Sequence, residues 1–524
     1  MTRARSIAGN SFWYGLESVI DSAAALVVSV VVARAIGPQR LGYYIYMMFL
    51  VNLAVRLGGS GPGAAVRKYL SEAIGRGDLG LARHVFFTML RWHAALGLLF
   101  TAAGWLLVLV WGEPNQKLVA SLLVASVFAT FVNTVPSQAN MAAEDFSRNV
   151  PASMLSLLAY VTIVALSLTL GWGVAGLAAA VLVRRTLEML LRLVSAVHWV
   201  REFPRQTIAP HLAARMMSFS GKSLAVTLLL MIVWDRSELV LLKRFSAIQE
   251  VTFFSVAFSV TEALLLLPNV IGAAVSARLM VEYGRTSNHL QSLSSSSLRF
   301  LALLVFPMFA GLAALSAPVT RLFYGPAYLP AIPVLFVALL LAVPKAFYWF
   351  PSAMLQAFDR QGTMFGCLLV VAAGNITLDL ALIPRFGALG AAIGNGVSQA
   401  AAVLVLLLAI RRRCGIRVPW TALLKNVVVA GAMGAAVFAS VKPLPPAAAV
   451  VAGPLLGAVL YLVLVRLSGL LSAEDAAAAA EMGARIPERL RVPFLTLLDW
   501  LSRPASRDVA LDARIGSAGS CITK

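Results

Sequence analysis

The chain has 524 residues, of which 60% are hydrophobic and 13% are charged, and its mean hydropathy is +0.84. A single water-soluble core could not hide so much apolar surface, so the composition excludes a soluble globular protein and indicates one that resides in a bilayer. The net charge of +20 would suggest a nucleic-acid partner for a soluble chain. Here the basic residues segregate by side of the membrane instead, so we expect no nucleic-acid partner.

Fourteen apolar stretches follow one another along the chain, and each is long enough to cross about 30 Å of hydrocarbon as a helix. They cover approximately residues 10–35, 41–63, 85–111, 117–139, 150–170, 174–198, 218–242, 251–276, 298–321, 329–356, 363–384, 387–410, 421–441 and 446–468. The sequence therefore predicts an all-α integral membrane protein with about 14 transmembrane helices.

Basic residues concentrate at the N-terminus and in alternate loops, whereas the opposite loops are short and poor in cations. The richer segments carry Arg3 and Arg5, Arg67 to Arg83, Arg201 to Lys222, Arg278 and Arg285, and Arg411 to Lys425. Because loops rich in Lys and Arg stay in the cytoplasm, both termini are predicted to be cytoplasmic.

The two halves of the chain repeat one another weakly. Residues 42–44 align with 252–254 at an offset of 210, and residues 143–145 and 173–174 align with 357–359 and 387–388 at an offset of 214. An even number of spans in each copy makes the copies parallel. We therefore expect two parallel six-helix lobes around a central cavity, plus two extra C-terminal helices.

This repeat divides the chain into five segments. They are an N-terminal lobe over 1–200, a cytoplasmic inter-lobe linker over 201–217, a C-terminal lobe over 218–412, transmembrane helices 13 and 14 over 413–468, and a cytoplasmic tail over 469–524. In the tail, Phe494, Leu497, Leu498 and Leu501 share a helical face. That face predicts an amphipathic helix that lies on the membrane surface or docks a partner.

Charged and amide side chains interrupt several spans, and each charge would cost about 2.5–3.5 kcal/mol at the bilayer centre if it faced lipid. They are therefore expected to face one another or a water-filled cavity. Glu17 and Asp21 continue a face that begins with Asn10 and Tyr14. The candidate cavity residues are Glu17, Asp21, Asn52, Arg56, Asp235, Arg236, Glu238, Glu262, Lys345 and Asp379.

For several of these residues, a purely structural role is an alternative to a role in the cavity. Asp379 and the amides Asn375, Asn395 and Gln399 could serve as interhelical hydrogen-bonding groups. Asp235 and Arg236 could neutralise each other or lie near the outer interface of the membrane. Lys345 could extend to the interface, although Pro344 before it predicts a broken helix that lines a cavity.

Three segments resemble the polysaccharide transporter family. They are VVARAIGPQRLGYYIYMMF at 31–49, RKYLSEAIGRGD at 67–78 and IPRFGALGAAIGNGVSQ at 383–399. That family lies within the multidrug/oligosaccharidyl-lipid/polysaccharide exporter superfamily and includes the O-antigen flippases of bacterial inner membranes. The resemblance covers spans 1–12 and implies alternating access, an inner-membrane location, and a substrate linked to undecaprenyl pyrophosphate.

The leading hypothesis is therefore a flippase for a lipid-linked oligosaccharide, with other polysaccharide-assembly proteins as partners. Cations such as Arg56, Arg236 and Lys345 suit an anionic carrier, and amides and carboxylates suit sugar hydroxyls. Six intramembrane acids against three bases is an unexpected balance for an anion binder, and it suggests coupling to H⁺ or Na⁺.

The same acidic excess supports an alternative, a cation-coupled exporter of cationic small molecules from the multidrug branch. A membrane glycosyltransferase or ligase is disfavoured because the outer loops are short, so a transporter is expected rather than an enzyme. The five histidines lack ligand spacing, so no catalytic or metal site is predicted and no bound cofactor is expected.

Overall fold

The computed structural model describes residues 2–206, 210–283, 287–471, 475–476 and 488–502, and every regular element within these ranges is a helix. This confirms the all-α prediction. A helix satisfies its own backbone hydrogen bonds, which an apolar environment requires.

The helices run in chain order as follows: α1 (Thr2–Ile36), α2 (Pro38–Gly75), α3 (Leu79–Trp111), α4 (Lys117–Ala142), α5 (Val150–Thr169), α6 (Gly173–Arg201), α7 (Pro210–Trp234), α8 (Glu238–Phe245), α9 (Ile248–Tyr283), α10 (Ser287–Ala314), α11 (Ser316–Val319), α12 (Ala331–Ala342), α13 (Trp349–Ala357), α14 (Gln361–Cys414), α15 (Trp420–Val441), α16 (Pro446–Ser468) and α17 (Glu488–Ser502).

Within the described ranges, 12 helical segments are long and apolar enough to cross a membrane. Two features explain why the described ranges contain 12 such segments whereas the sequence predicts 14. Helix α6 is not among the 12, because Arg184, Arg185, Glu188 and Arg192 interrupt its apolar face. Helix α14 contains two predicted spans within 54 residues, separated by Gly387, whose φ of 55° and ψ of −130° are not helical.

The predicted repeat is visible in the helix boundaries. Helices α2 and α9 begin 210 residues apart, and Gly173 and Gly387, 214 residues apart, have φ of 57° and 55°. Among the described residues, the non-glycine residues with positive φ are Glu144 and Asp359, both at 55°. Each follows the end of a helix, so matching turns occur in the two predicted lobes. The boundaries of the five predicted segments stay a prediction.

Contacts between residues group the chain into two compact units. The first comprises residues 1–263 and 368–398. In it α2, α3, α4 and α6 pack around a core that includes Leu70, Phe86, Val135 and Val200. Side chains of α2, α4 and α6 also pack around Phe131.

The second unit comprises residues 264–367 and 399–524. Helices α10, α15 and α16 pack around Leu315, Met433 and Val437, and Gly434 lets α15 approach the backbone of Ala310 closely.

Helix α17 packs within this second unit. Leu501 is buried against Val429 and Val465, and the ring of Trp500 lies 4.4 Å from the Arg466 guanidinium. Part of the predicted amphipathic face therefore contacts this chain itself. Most of the remaining tail lies outside the described residues.

Candidate functional site

A cavity of about 440 Å³ opens within the first compact unit. It is lined on one side by α2 and on the other by the segment from α7 to α9. The lining residues that bear on function are Tyr44, Asn52, Arg56, Asp235, Arg236 and Phe258. Four of them, Asn52, Arg56, Asp235 and Arg236, are residues that the sequence predicted for a substrate cavity.

A helix break positions two of these residues. Helix α7 ends at Trp234 and α8 begins at Glu238, whereas the sequence predicted one uninterrupted span. Asp235 and Arg236 stand in the break, where the Leu239 N–H still donates to the Arg236 carbonyl at 3.2 Å. Irregular backbone at membrane depth is tolerated where it lines a polar cavity, and this break does so.

Arg56 and Asp235 form an ion pair across the cavity, from α2 to the break. Their side chains are 47% and 35% exposed, so the pair is accessible to solvent and to a bound molecule. An exposed pair of this kind stabilises a protein by only about 0.2–1 kcal/mol. The Arg56 guanidinium is therefore available for exchange with another anion.

Arg236 is held by a hydroxyl and an aromatic ring. It donates to Ser259 Oγ at 2.8 Å, and its guanidinium lies 4.6 Å from the ring centroid of Phe258. Glu262, another predicted residue, lies close enough to Arg236 for their charges to interact. These contacts fix a second positive group at the cavity wall.

Helix α6 carries a row of charges that was not among the residues predicted from the sequence. Arg184, Glu188 and Arg192 follow at intervals of four residues and so share one helical face. Arg184 donates to Asp21 at 2.9 Å, and Arg192 donates to Glu17 at 3.1 Å. Glu17 and Asp21 are thus paired with α6, and they do not line the cavity of about 440 Å³.

Arg192 is the most buried residue of this row, with only 7% of its surface exposed. It contacts Glu188 at 2.5 Å and donates to Ser153 Oγ at 2.6 Å, while Ser153 donates to Glu17. The side chains of Asn10 and Tyr14, which the sequence placed on the same face of α1, lie outside the described residues.

Arg185 faces the cavity side of α6. It donates to Asn52 Oδ1 at 2.7 Å and to Ser126 Oγ at 3.2 Å, and so supports a cavity-lining amide from behind. The three α6 arginines and Glu188 change the intramembrane balance from six acids and three bases to seven acids and six bases. With α6 included, acidic and basic groups are therefore nearly balanced.

A second polar cluster, which is buried, lies in the same unit. Glu238 is fully buried and Asp379 is 2% exposed, and the two are close enough for their charges to interact. Asn395 donates to Glu238 Oε1 at 2.6 Å, as expected for interhelical hydrogen bonding. Within the described part of the chain, Asp379 Oδ1 and both side-chain polar atoms of Asn375 are buried without a hydrogen-bond partner, which interhelical bonding does not explain.

Lys345 lies in a short 3₁₀ segment, Val343–Phe347, between α12 and α13. The helix break predicted at Pro344 is thus present. Lys345 belongs to the second compact unit, and its part in a substrate site stays a prediction.

Long apolar helices around a charged, solvent-accessible cavity are the arrangement of a membrane transporter. The chain belongs to the polysaccharide biosynthesis protein family, whose family model matches residues 6–333. No curated protein is significantly similar to it in sequence.

Solved structures of transporters share its fold. One is a lipid II flippase, MurJ, in an inward closed conformation, with a TM-score of 0.65 at 16% identity over 86% of this chain and 97% of that one. Another is an inward-facing multidrug resistance MATE family transporter of the MOP superfamily, with 0.61 at 18% identity over 75% and 94%. A MOP superfamily transporter from Pyrococcus furiosus matches at 0.55 and 18% identity over 78% and 96%. At such identities these matches show the fold.

Proposed function

We propose that the protein is a flippase of the bacterial inner membrane. It moves an oligosaccharide linked to undecaprenyl pyrophosphate from the cytoplasmic to the outer leaflet by alternating access, during biosynthesis of a surface polysaccharide. Other polysaccharide-assembly proteins are its expected partners. The family and the fold of a lipid II flippase support this proposal.

The observation that carries the proposal is the cavity lined by Asn52, Arg56 and Arg236, with Arg185 behind Asn52. A guanidinium keeps its proton in a low-dielectric site and offers a fork of donors that fits phosphate oxygens. Amide and hydroxyl groups can exchange hydrogen bonds with sugar hydroxyls. The volume of about 440 Å³ suits a polar headgroup and lies within the usual range of ligand sites.

The alternative is a cation-coupled exporter of cationic small molecules, which the fold of a multidrug transporter favours. Such a substrate needs uncompensated carboxylates in the cavity. In the cavity, Asp235 is paired with Arg56, and outside it Glu17 and Asp21 are paired with arginines of α6. These pairs reduce the negative charge available to a cationic drug, so the anionic substrate is the better supported of the two.

Substitution of Arg56 tests the proposal in cells that depend on this protein for glycan export. Arg56→Ala should reduce outer-leaflet glycan at least about tenfold at normal protein level, because a charge-assisted phosphate contact is lost. Arg56→Lys should recover only part of the export, because an ammonium lacks the planar fork. Arg76→Gln, at an exposed arginine paired with Glu72, is the matched control.

The acidic face of α1 separates the two candidate functions. If the substrate is anionic, Glu17→Gln and Asp21→Asn should leave more export than Arg56→Ala does. A cationic substrate held by Glu17 and Asp21 would invert this ranking. Full glycan export by Arg56→Ala would falsify the anion-binding role of Arg56.

We further propose that transport is coupled to H⁺ or Na⁺ at the cluster of Glu238, Asp379, Asn375 and Asn395. Buried carboxylate and amide oxygens suit a proton or a hard cation. The unpartnered Asp379 and Asn375 atoms support this assignment within the described residues. Gly394 supports it too, because a Cβ there would collide with Asp379.

Thermal unfolding of the purified protein tests this coupling. Wild-type protein should unfold at a temperature that depends on Na⁺ relative to choline, for Na⁺ coupling, or on pH, for H⁺ coupling. Asp379→Asn should remove that dependence, whereas the same change at the exposed Asp359 should not. An unaltered dependence in Asp379→Asn would show that coupling lies elsewhere.

A further inference from the structure

A second cavity, of about 410 Å³, lies in the first compact unit where α3 begins and α6 ends. Four arginines, Arg83, Arg91, Arg201 and Arg205, line it together with His84 and Phe87, and no acidic residue is among its lining residues. In the part of the chain that the structure describes, none of these guanidinium groups lies within 4.0 Å of a carboxylate. The cavity is therefore a concentrated positive site.

The cavity walls are fixed by specific contacts. Arg83 Nη1 donates to the carbonyls of Arg201 and Phe203, both at 2.6 Å, and so joins α3 to the segment after α6. The Arg83 guanidinium also lies 5.8 Å from the ring centroid of Phe87. A Cβ at Gly80 would collide with the side chain of Gln206, which shows how closely the two segments pack. The remaining Arg83 donors, Nε and Nη2, are available for an anion.

An apolar groove adjoins this positive cavity. Leu193, Val194 and Val197 line it on α6, and it shares Arg201 with the cavity. Val194 is 70% exposed, as expected for a side chain that faces lipid tails. Glu202 and His198 complete the groove, outside the arginine cavity.

We propose that the cavity and groove together bind one anionic phospholipid. The arginines hold its phosphate, and one acyl chain lies along Leu193, Val194 and Val197. Basic pockets between membrane helices bind anionic lipid headgroups through the same guanidinium chemistry. A free phosphate compound would use the arginines alone, so the groove is what favours a lipid. The site is separate from the cavity that contains Arg56 and Asp235.

The bound lipid would join the start of α3 to residues 201–206, which lead from α6 toward α7. The headgroup adds ionic contacts to the two hydrogen bonds that Arg83 already makes there. Lipid composition would thereby influence how firmly this connecting segment is held.

Thermal unfolding in detergent tests the site with three probes: dioctanoyl phosphatidylglycerol, dioctanoyl phosphatidylcholine and glycerol 3-phosphate. Phosphatidylglycerol should raise the unfolding temperature saturably, and the other two should not. The test variant is Arg91→Gln/Arg205→Gln, since Arg83 also has a structural contact. Its half-saturating phosphatidylglycerol concentration should rise at least about tenfold, because two phosphate-binding groups are lost.

The control is Arg411→Gln/Arg412→Gln, which removes the same charge from exposed positions at the end of α14. It should bind phosphatidylglycerol like the wild type. Equal stabilisation by glycerol 3-phosphate would overturn the lipid in favour of a soluble phosphate. Equal stabilisation by phosphatidylcholine, or wild-type binding by Arg91→Gln/Arg205→Gln, would overturn the arginine site.

Discussion

Arg192 is the residue on which polar and charged groups of α1, α5 and α6 converge. Its guanidinium contacts Glu17 and Glu188 and donates to Ser153 Oγ. The Ser153 hydroxyl in turn donates to Glu17. Burying an arginine is costly, so its contribution is best judged by what its removal would leave behind. Without it, two carboxylates inside the membrane would lose their basic partner.

Arg192→Met should therefore destabilise the protein by about 3–5 kcal/mol, the usual cost of an uncompensated buried charge. Arg76→Gln should cost less than about 1 kcal/mol, because the Arg76–Glu72 pair is exposed. Thermal unfolding and the yield of folded protein measure both effects. If Arg192→Met unfolds at the same temperature as Arg76→Gln, the buried network contributes little to stability.

Adding Glu17→Gln to Arg192→Met should restore part of the lost stability, since one of the two stranded carboxylates is then neutral. The coupling between the two substitutions distinguishes an ionic role from simple loss of packing. No recovery would indicate that Arg192 acts mainly through its packed side chain.

Which residues are polar inside the spans could be predicted from the sequence, but their partners could not. The four-residue spacing of Glu17 and Asp21 predicts that they lie on one helical face. Arg184 lies 163 residues from Asp21, and Arg56 lies 179 residues from Asp235. Such pairs depend on helix packing, which no local pattern encodes. Glu188 and the three α6 arginines could have been found from spacing alone.

Helix breaks illustrate the same limit at the scale of an element. Pro344 predicts the break at Val343–Phe347, because proline has no backbone N–H to donate to a helical hydrogen bond. The break between Trp234 and Glu238 contains no proline or glycine, so the hydropathy of the sequence predicts one uninterrupted span there. At this break, the cost of burying Asp235 and Arg236 in a regular transmembrane helix disfavours an uninterrupted helix.

The turns after α4 and α13 show how far the repeat extends. Glu144 and Asp359 adopt the same left-handed conformation, and in each turn three backbone N–H groups donate to carbonyls of the last helical turns. Their separation of 215 residues differs by one from the offset of 214 that the sequence predicted. Weak sequence matches therefore located equivalent turns to within one residue.

The distribution of basic residues is a property of the whole molecule and predicts its orientation. Reporter fusions after Arg76, Arg205, Arg285 and Arg413 should report the cytoplasm, and those near Glu113 or Lys442 the outside. Each site should be tested with an alkaline phosphatase fusion and with a fluorescent-protein fusion, because the two reporters give opposite signals at the same location. An outside signal at Arg205 would contradict the six-plus-six arrangement of spans.

The ion pair between Arg56 and Asp235 sets an exchange equilibrium for any anion that enters the cavity. A phosphate oxygen that takes the guanidinium must displace the carboxylate, so the measured affinity is the intrinsic affinity reduced by the stability of the pair. For an exposed pair of about 0.2–1 kcal/mol, that reduction is less than about tenfold. The displacement also frees Asp235 from α2. Anion binding would therefore break, and anion release would restore, a noncovalent link between two stretches of chain that are 179 residues apart in sequence.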